Sequence, residues 1–215
     1  MVQQHRRCVK MKVKICGITN YKDALLCQDY GADAIGFIFY PKSKRYITPA
    51  KAALIINRLS PFIVKVGIFV NAKLSFVNET AELTRINIVQ LHGDEDENYY
   101  AGINLPVIKS FRVKDNFDFR EVYKYKKVGY LLDSYSDNSY GGTGKKFNWD
   151  LIPDYLKDKI ILSGGVSEKN IEYIFHSINP AAVDLSSSLE SRPGKKDEKK
   201  VKAFFKKVNK LRYLC

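Results

Sequence analysis

Short apolar runs recur along the chain, each followed by a stretch in which apolar residues return every three or four positions. The runs are Val13–Cys16, Ala34–Phe39, Val64–Phe69, Ile88–Leu91, Val107–Phe111, Tyr130–Leu132, Ile160–Leu162 and Ala182–Leu185. Most are rich in Val, Ile, Leu or aromatics, the mark of strands buried on both faces. Helical patterns follow at Tyr21–Asp29, Ala50–Leu59, Leu74–Leu83, Glu95–Ile103, Asn170–Ile178 and Asp197–Lys210, with shorter, weaker ones near Phe119–Tyr123 and Asp150–Tyr155. Thr48-Pro49 supplies a cap and a first-turn proline for the second helix, and Tyr30-Gly31 a stop for the first. Strand–helix alternation requires parallel crossovers. Eight alternations predict a single α/β domain folded as a (β/α)8 barrel over residues 12–215, with residues 1–11 as an N-terminal extension. The rival, an open doubly wound sheet, is disfavoured because no GxGxxG follows the first strand.

Composition narrows the class. The 215 residues are 45% apolar and 27% charged, a globular profile. No stretch approaches the roughly 18 apolar residues that a membrane helix needs. The first dozen residues carry His5, Arg6, Arg7 and Lys10 without an apolar block after them, so no secretory signal is expected. Cys8, Cys16, Cys27 and Cys215 form no CxxC pair, which argues against a zinc site and a disulfide framework and for a cytoplasmic setting. The net charge of +13 raises the question of nucleic acid. Much of the excess lies in the last helix, where Val201, Phe204, Phe205, Val208 and Leu211 fall at helical spacing and the lysines take the wet face. With no nucleic-acid motif beside it, this charge reads as a solvated helix face whose field also draws in small anions.

In a barrel of this kind, chemistry sits at the C-terminal ends of the strands. The first strand ends at Cys16, a thiol that nearby positive charge would make a usable base or nucleophile. The second runs into Lys42-Ser43-Lys44-Arg45, where Arg45 could grip a carboxylate with two hydrogen bonds. The fourth brings Gln90, expected to point into the barrel, and His92, a proton carrier or hydrogen-bond donor. The sixth ends at Asp133, a carboxyl group after two leucines, where partial desolvation suits it to general-acid work. The loop from Ser134 to Phe147 carries Gly141-Gly142-Thr143-Gly144-Lys145, the make-up of a lid, and lacks the spacing of a nucleotide phosphate loop. Ser163-Gly164-Gly165 after the seventh strand and Asp184-Leu185-Ser186-Ser187 at the eighth suit a phosphate, because glycine N–H groups and serine hydroxyls can close on an anion there.

Taken in order, KICGIT (Lys14–Thr19), GADAIGFIFYPKSKRY (Gly31–Tyr46), VGIFVN (Val66–Asn71), VQLHG (Val89–Gly93), LLD (Leu131–Asp133), GGTGK (Gly141–Lys145), LSGGV (Leu162–Val166), VDLSS (Val183–Ser187) and PGKKD (Pro193–Asp197) resemble the phosphoribosylanthranilate isomerase family of tryptophan biosynthesis over nearly the whole chain. The resemblance implies a barrel without metal or organic cofactor. It implies the Amadori rearrangement of N-(5-phosphoribosyl)anthranilate to 1-(2-carboxyphenylamino)-1-deoxyribulose 5-phosphate. It assigns Cys16 as general base, Asp133 as general acid, Arg45 to the anthranilate carboxylate, and Gly164, Gly165, Ser186 and Ser187 to the phosphate. Gln90, His92, Gly142 and Asp184 complete the expected substrate contacts. One departure is Ser188, where the family often has glycine.

A small phosphorylated substrate, no nucleic acid, no membrane, and a monomer or homodimer are the partners expected. Two alternatives stay open. Another phosphosugar barrel, such as the histidine-pathway aminoaldose isomerase, is expected to use two carboxylates where this chain has Cys16 and Asp133. A non-catalytic barrel binding nucleic acid would rest on the basic surface alone.

Overall fold

The computed structural model describes residues 11–114, 116–134 and 147–213. Eight strands, β1 (Lys12–Ile15), β2 (Ala34–Ile38), β3 (Val64–Phe69), β4 (Ile88–Leu91), β5 (Val107–Val113), β6 (Gly129–Ser134), β7 (Ile160–Leu162) and β8 (Ala182–Leu185), pair in chain order and close into one barrel. Every pair is parallel, and β8 returns to β1 with Asp184 opposite Lys14. The predicted (β/α)8 barrel is therefore the fold. A two-stranded antiparallel hairpin, β9 (Glu190–Arg192) and β10 (Lys195–Lys196), follows β8 and is not visible in the apolar pattern.

The helices are α1 (Tyr21–Asp29), α2 (Pro49–Ile56), α3 (Leu74–Thr84), α4 (Glu97–Tyr100), α5 (Asp154–Lys157), α6 (Ile171–Tyr173) and α7 (Glu198–Tyr213), with 3₁₀ turns at Phe119–Lys124, Trp149–Leu151 and Ser187–Leu189. Asn20 and Thr48 cap α1 and α2 by accepting from the N–H groups of Asp23 and Lys51. The fourth helix is shorter than its pattern because Glu95 is drawn into the preceding loop. Its carboxylate accepts from the N–H groups of Asn71 (2.7 Å) and Gly93 (3.0 Å) and from Lys109 Nζ (3.0 Å), so the helix starts only after Asp96. The expected helix over Asn170–Ile178 divides: α6 widens into a π turn at Ile174–Ile178, closed by Asn179 in the left-handed region.

Two apolar clusters result. The larger lies between strands and helices; the smaller fills the barrel, where Cys16, Val66 and Ile68 pack with Ala34, Ile38, Val64 and Ile88. Strand alternation sends one set of side chains to each. Beside the inner cluster, Lys14, Gln90, Asp133 and Asp184 on β1, β4, β6 and β8 are also buried.

Helix α7 buries Val201, Phe204, Phe205, Val208 and Leu211 as its spacing predicts. Near its end Arg212 donates to the carbonyls of Met11 and Gly31 and pairs with Asp33. Met11 is itself buried in the larger cluster.

Phe204→Ala should remove about 3–5 kcal/mol of stability by leaving a cavity under α7. Lys206→Ala, on the exposed face of the same helix, should change it by less than about 0.5 kcal/mol. Urea midpoints of the two variants against the parent chain check both.

Candidate active site

The strand ends at the barrel mouth surround a pocket of about 350 Å³. Cys16, Arg45, Gln90, His92 and Asp133 line it together with Gly164, Gly165, Asp184, Ser186 and Ser187. All the predicted site residues within the described residues thus share one cavity. Gly142 lies outside the described residues. No cluster of three or more His, Cys, Asp or Glu side chains among the described residues is arranged to hold a metal ion.

Cys16 follows the last residue of β1. Its N–H donates to the carbonyl of Leu185 (2.8 Å), which holds it level with the end of β8. Gly36 on the neighbouring strand gives its side chain room, since a Cβ there would stand 3.0 Å from Cys16 Sγ. Burial pushes the thiol pKa above its ordinary value. Lys14, two residues earlier and on the same face, pulls it back; Asp184 opposes that pull, and Lys196 and Arg45 add to it. Lys14 and Asp184 form a buried ion pair at 2.9 Å. Burial disfavours the Lys14 ammonium, but Asp184 and the thiol outweigh this and raise its pKa. Asp184 therefore serves Lys14 directly, a partnership that the β1–β8 register dictates and that sequence spacing could not reveal.

Across the pocket, alternation along β6 places Asp133 on the same face as Leu131, both buried. Its Oδ1 accepts from the N–H of Ser134 (2.8 Å), and its Oδ2 stands 3.3 Å from His92 Nε2. The latter pair is close enough for charges to interact but is not aligned as a hydrogen bond. His92 Nδ1 accepts from Gln90 Nε2 (3.0 Å), which also donates to Ser110 Oγ (3.1 Å). This orientation of the Gln90 amide puts the neutral imidazole's proton on Nε2, facing Asp133. Gln90 points into the barrel as expected, and its Oε1 has no hydrogen-bond partner among the described residues.

Arg45 reaches the pocket from the loop after β2, but part of its guanidinium is engaged. Nε and Nη2 donate to Glu190 at 2.9 and 2.7 Å. Glu190 also pairs with Lys196 (3.0 Å), and nothing in the apolar pattern of the chain marks a hairpin carrying this buried ion pair. Burial alone would raise the Glu190 pKa, but the Arg45 hydrogen bonds and the Lys196 charge hold it below the usual carboxylate range. The remaining wall is built on a glycine turn. Gly164 and Gly165 both have positive φ (77° and 78°), which side chains rarely adopt, and a Cβ on Gly164 would collide with Ser134. Ser188 lies in the 3₁₀ turn Ser187–Leu189 and is not a positive-φ residue, so a side chain fits where the family often has glycine.

Because burial dominates at Cys16, its thiol should remain protonated at neutral pH in the unliganded protein. Raising the pH should generate thiolate only above the ordinary value of 9.0. Ultraviolet titration of the parent chain minus Cys16→Ser checks this; a thiolate already present at neutral pH would contradict it.

The family model for N-(5'phosphoribosyl)anthranilate (PRA) isomerase matches residues 13–207. The N-(5'-phosphoribosyl)anthranilate isomerase of Geotalea uraniireducens (strain Rf4) is 50% identical over 201 residues, covering 93% of this chain and 99% of the relative. The crystal structure of phosphoribosyl anthranilate isomerase from Thermotoga maritima superposes with a TM-score of 0.86 at 40% identity, covering 93% of this chain and 99% of that one. A phosphoribosyl anthranilate isomerase in complex with reduced 1-(o-carboxyphenylamino)-1-deoxyribulose 5-phosphate superposes with a TM-score of 0.83 at 40% identity, with the same coverage. The chain belongs to the phosphoribosylanthranilate isomerase family.

Proposed function

We propose that this protein rearranges N-(5-phosphoribosyl)anthranilate to 1-(2-carboxyphenylamino)-1-deoxyribulose 5-phosphate, the isomerisation of tryptophan biosynthesis, with Cys16 as base and Asp133 as acid. One observation carries the reading: the thiol, the carboxyl group, the guanidinium and the Gly164–Gly165 turn open onto the same cavity. Each meets one part of a molecule with a phosphate at one end, an aryl carboxylate at the other, and a sugar between.

The phosphate takes the wall of Gly164, Gly165, Ser186 and Ser187, through backbone N–H groups and hydroxyls. Arg45 takes the ring carboxylate. Protonated Asp133 gives its proton to the ring oxygen, the C1–O bond breaks, and the nitrogen lone pair forms an iminium. His92, with Nε2–H toward Asp133, stabilises the carboxylate that remains. The iminium acidifies the hydrogen at C2, and its positive charge beside Cys16 favours loss of the thiol proton to solvent, leaving the thiolate. Cys16 removes the C2 proton, the electron pair moves into a C1–C2 double bond, and the enolamine tautomerises to the ketone. Gln90 Oε1, with no protein partner among the described residues, is available to a sugar hydroxyl.

This division of labour explains why a thiol suits a site that already holds two carboxylates, Asp133 and Asp184. A third carboxylate at position 16 would feel the charge of Asp184, which lies opposite Lys14, and would compete with it for Lys14. The cysteine is also what separates this reading from the histidine-pathway isomerase, where a carboxylate is expected at that position. We assign the protein to the cytoplasm, since the buried Cys16 and Cys27 are free thiols, and to a monomeric or homodimeric state. Among the described residues no helix is long and apolar enough to cross a membrane.

Mixing the protein with freshly generated phosphoribosylanthranilate should quench the anthranilate-type fluorescence, while the histidine-pathway aminoaldose is left unchanged; the reverse preference would overturn the assignment. Cys16→Ala and Asp133→Asn should each lower kcat by about 10²–10⁴-fold with unfolding midpoints little changed. Arg45→Ala should act mainly on KM. Near-normal kcat in both of the first two variants would remove the acid–base assignment.

A further inference from the structure

The hairpin β9–β10 and the PGKKD motif within it lie outside the chemistry described above, yet the hairpin carries two of the most buried charges in the molecule. The Glu190 and Lys196 side chains are 3% and 1% exposed. Burying a carboxylate is costly unless donors surround it, and Glu190 is surrounded. It accepts from Arg45 Nε and Nη2, Lys196 Nζ, the Gly194 N–H (3.2 Å) and Ser186 Oγ (3.4 Å). Glu190 does not itself line the pocket. A carboxylate so thoroughly paired is poorly placed to trade protons, so what it does to the pocket it does through its partners.

Those partners are parts of the site. Lys196 Nζ also donates to the carbonyl of Cys16 (2.8 Å). Arg45 lies with its aliphatic stem across Gly17, where a Cβ would stand 2.5 Å from Arg45 Cδ, so the glycine after Cys16 is what lets the stem lie down. The hairpin is tied to the β1–α1 loop by Thr19 Oγ1, which donates to the Gly194 carbonyl (2.5 Å). Asp23 holds it too, accepting from Lys195 Nζ and the Lys196 N–H at 2.7 Å each. The arginine is thus held below by Gly17 and at one edge by Glu190. A guanidinium carries five N–H groups in a fixed fork; with Nε and one side of Nη2 engaged, the groups on Nη1 and the other side of Nη2 still form a second fork.

We propose that Glu190, anchored by Lys196, is a positioning residue that fixes Arg45 before substrate arrives and so preorganises the grip on the anthranilate ring carboxylate. The inference rests on the role given to Arg45 above. Preorganisation spares the ordering of a long side chain on binding, and its loss weakens only the ligand that uses that side chain. Selectivity, not overall affinity, is therefore the signature.

The test uses two stable anions that share the phosphate and sugar chain: reduced 1-(o-carboxyphenylamino)-1-deoxyribulose 5-phosphate, and its counterpart without the ring carboxylate. Calorimetry gives Kd for each with the parent chain, E190Q, R45A and the double variant. E190Q should weaken the carboxylated ligand about tenfold and the other less than about twofold. In the double variant the losses should match those of R45A alone, because Glu190 acts through Arg45. Equal weakening of both ligands by E190Q would make Glu190 a general support of the mouth and overturn the proposal, as would no weakening of either. If R45A itself fails to distinguish the ligands, the carboxylate role of Arg45 falls and this inference with it; if R45A distinguishes them and E190Q does not, only the inference falls. Should E190Q not fold, E190D, which keeps the charge on a shorter arm, replaces it, and the same split between the ligands decides.

Discussion

A sulfur buried at the end of a barrel strand ionises only against a large desolvation cost, and the mouth of this barrel is arranged around that cost. Three cations, Lys14, Lys196 and Arg45, surround Cys16 and favour its thiolate. Each would itself be too costly to bury alone, so Asp184 and Glu190 are buried with them. The consequence is a buried set of ion pairs whose cations do not outweigh the burial of the thiol. In the proposed mechanism the last increment comes from the substrate, whose iminium forms beside the sulfur only after Asp133 has opened the sugar ring. On this account the base is weak until the acid has acted, which orders the two proton transfers.

The same economy explains the fold's polar interior. The inner face of the barrel is apolar where it only has to be filled, at Val66, Ile68 and their neighbours. It turns polar two residues after Ile88 on β4, Leu131 on β6 and Ala182 on β8, at Gln90, Asp133 and Asp184, and Lys14 on β1 lies level with Asp184. The period-2 alternation of strands, together with the parallel register, sets those four residues facing one another. Helix α7 and the hairpin then close the β8–β1 seam, one by burying Phe204 and Phe205, the other by carrying Glu190 and Lys196 to the mouth.

The strands and most helices were legible in the chain because barrel strands are continuous apolar runs and their crossovers have helical period. Cys16, Arg45, His92 and Asp133 were legible because each ends or follows such a run. The start of the fourth helix was not legible, since the partners of Glu95 come from beyond the ends of β3 and β4, at Asn71 and Gly93, and from within β5, at Lys109. Glu190 and Lys196 stayed silent for a related reason: a three-residue and a two-residue strand have no periodicity to detect, and lysine before a lysine-rich helix looks like solvated charge. Pairings that depend on register, such as Lys14 with Asp184, become visible only once β8 is laid against β1. The Ser134–Phe147 lid expected from sequence falls, at residues 135–146, outside the described residues.

The central claim is that Cys16 removes the C2 hydrogen after Asp133 has opened the ring. Turnover of substrate carrying deuterium at C2 tests it most directly. The residual activity of Cys16→Ala should show an enlarged primary isotope effect, because removal of that hydrogen has become limiting, and Asp133→Asn should show little or none, because ring opening limits it. The same isotope effect in both variants, or the larger one in Asp133→Asn, would contradict the account.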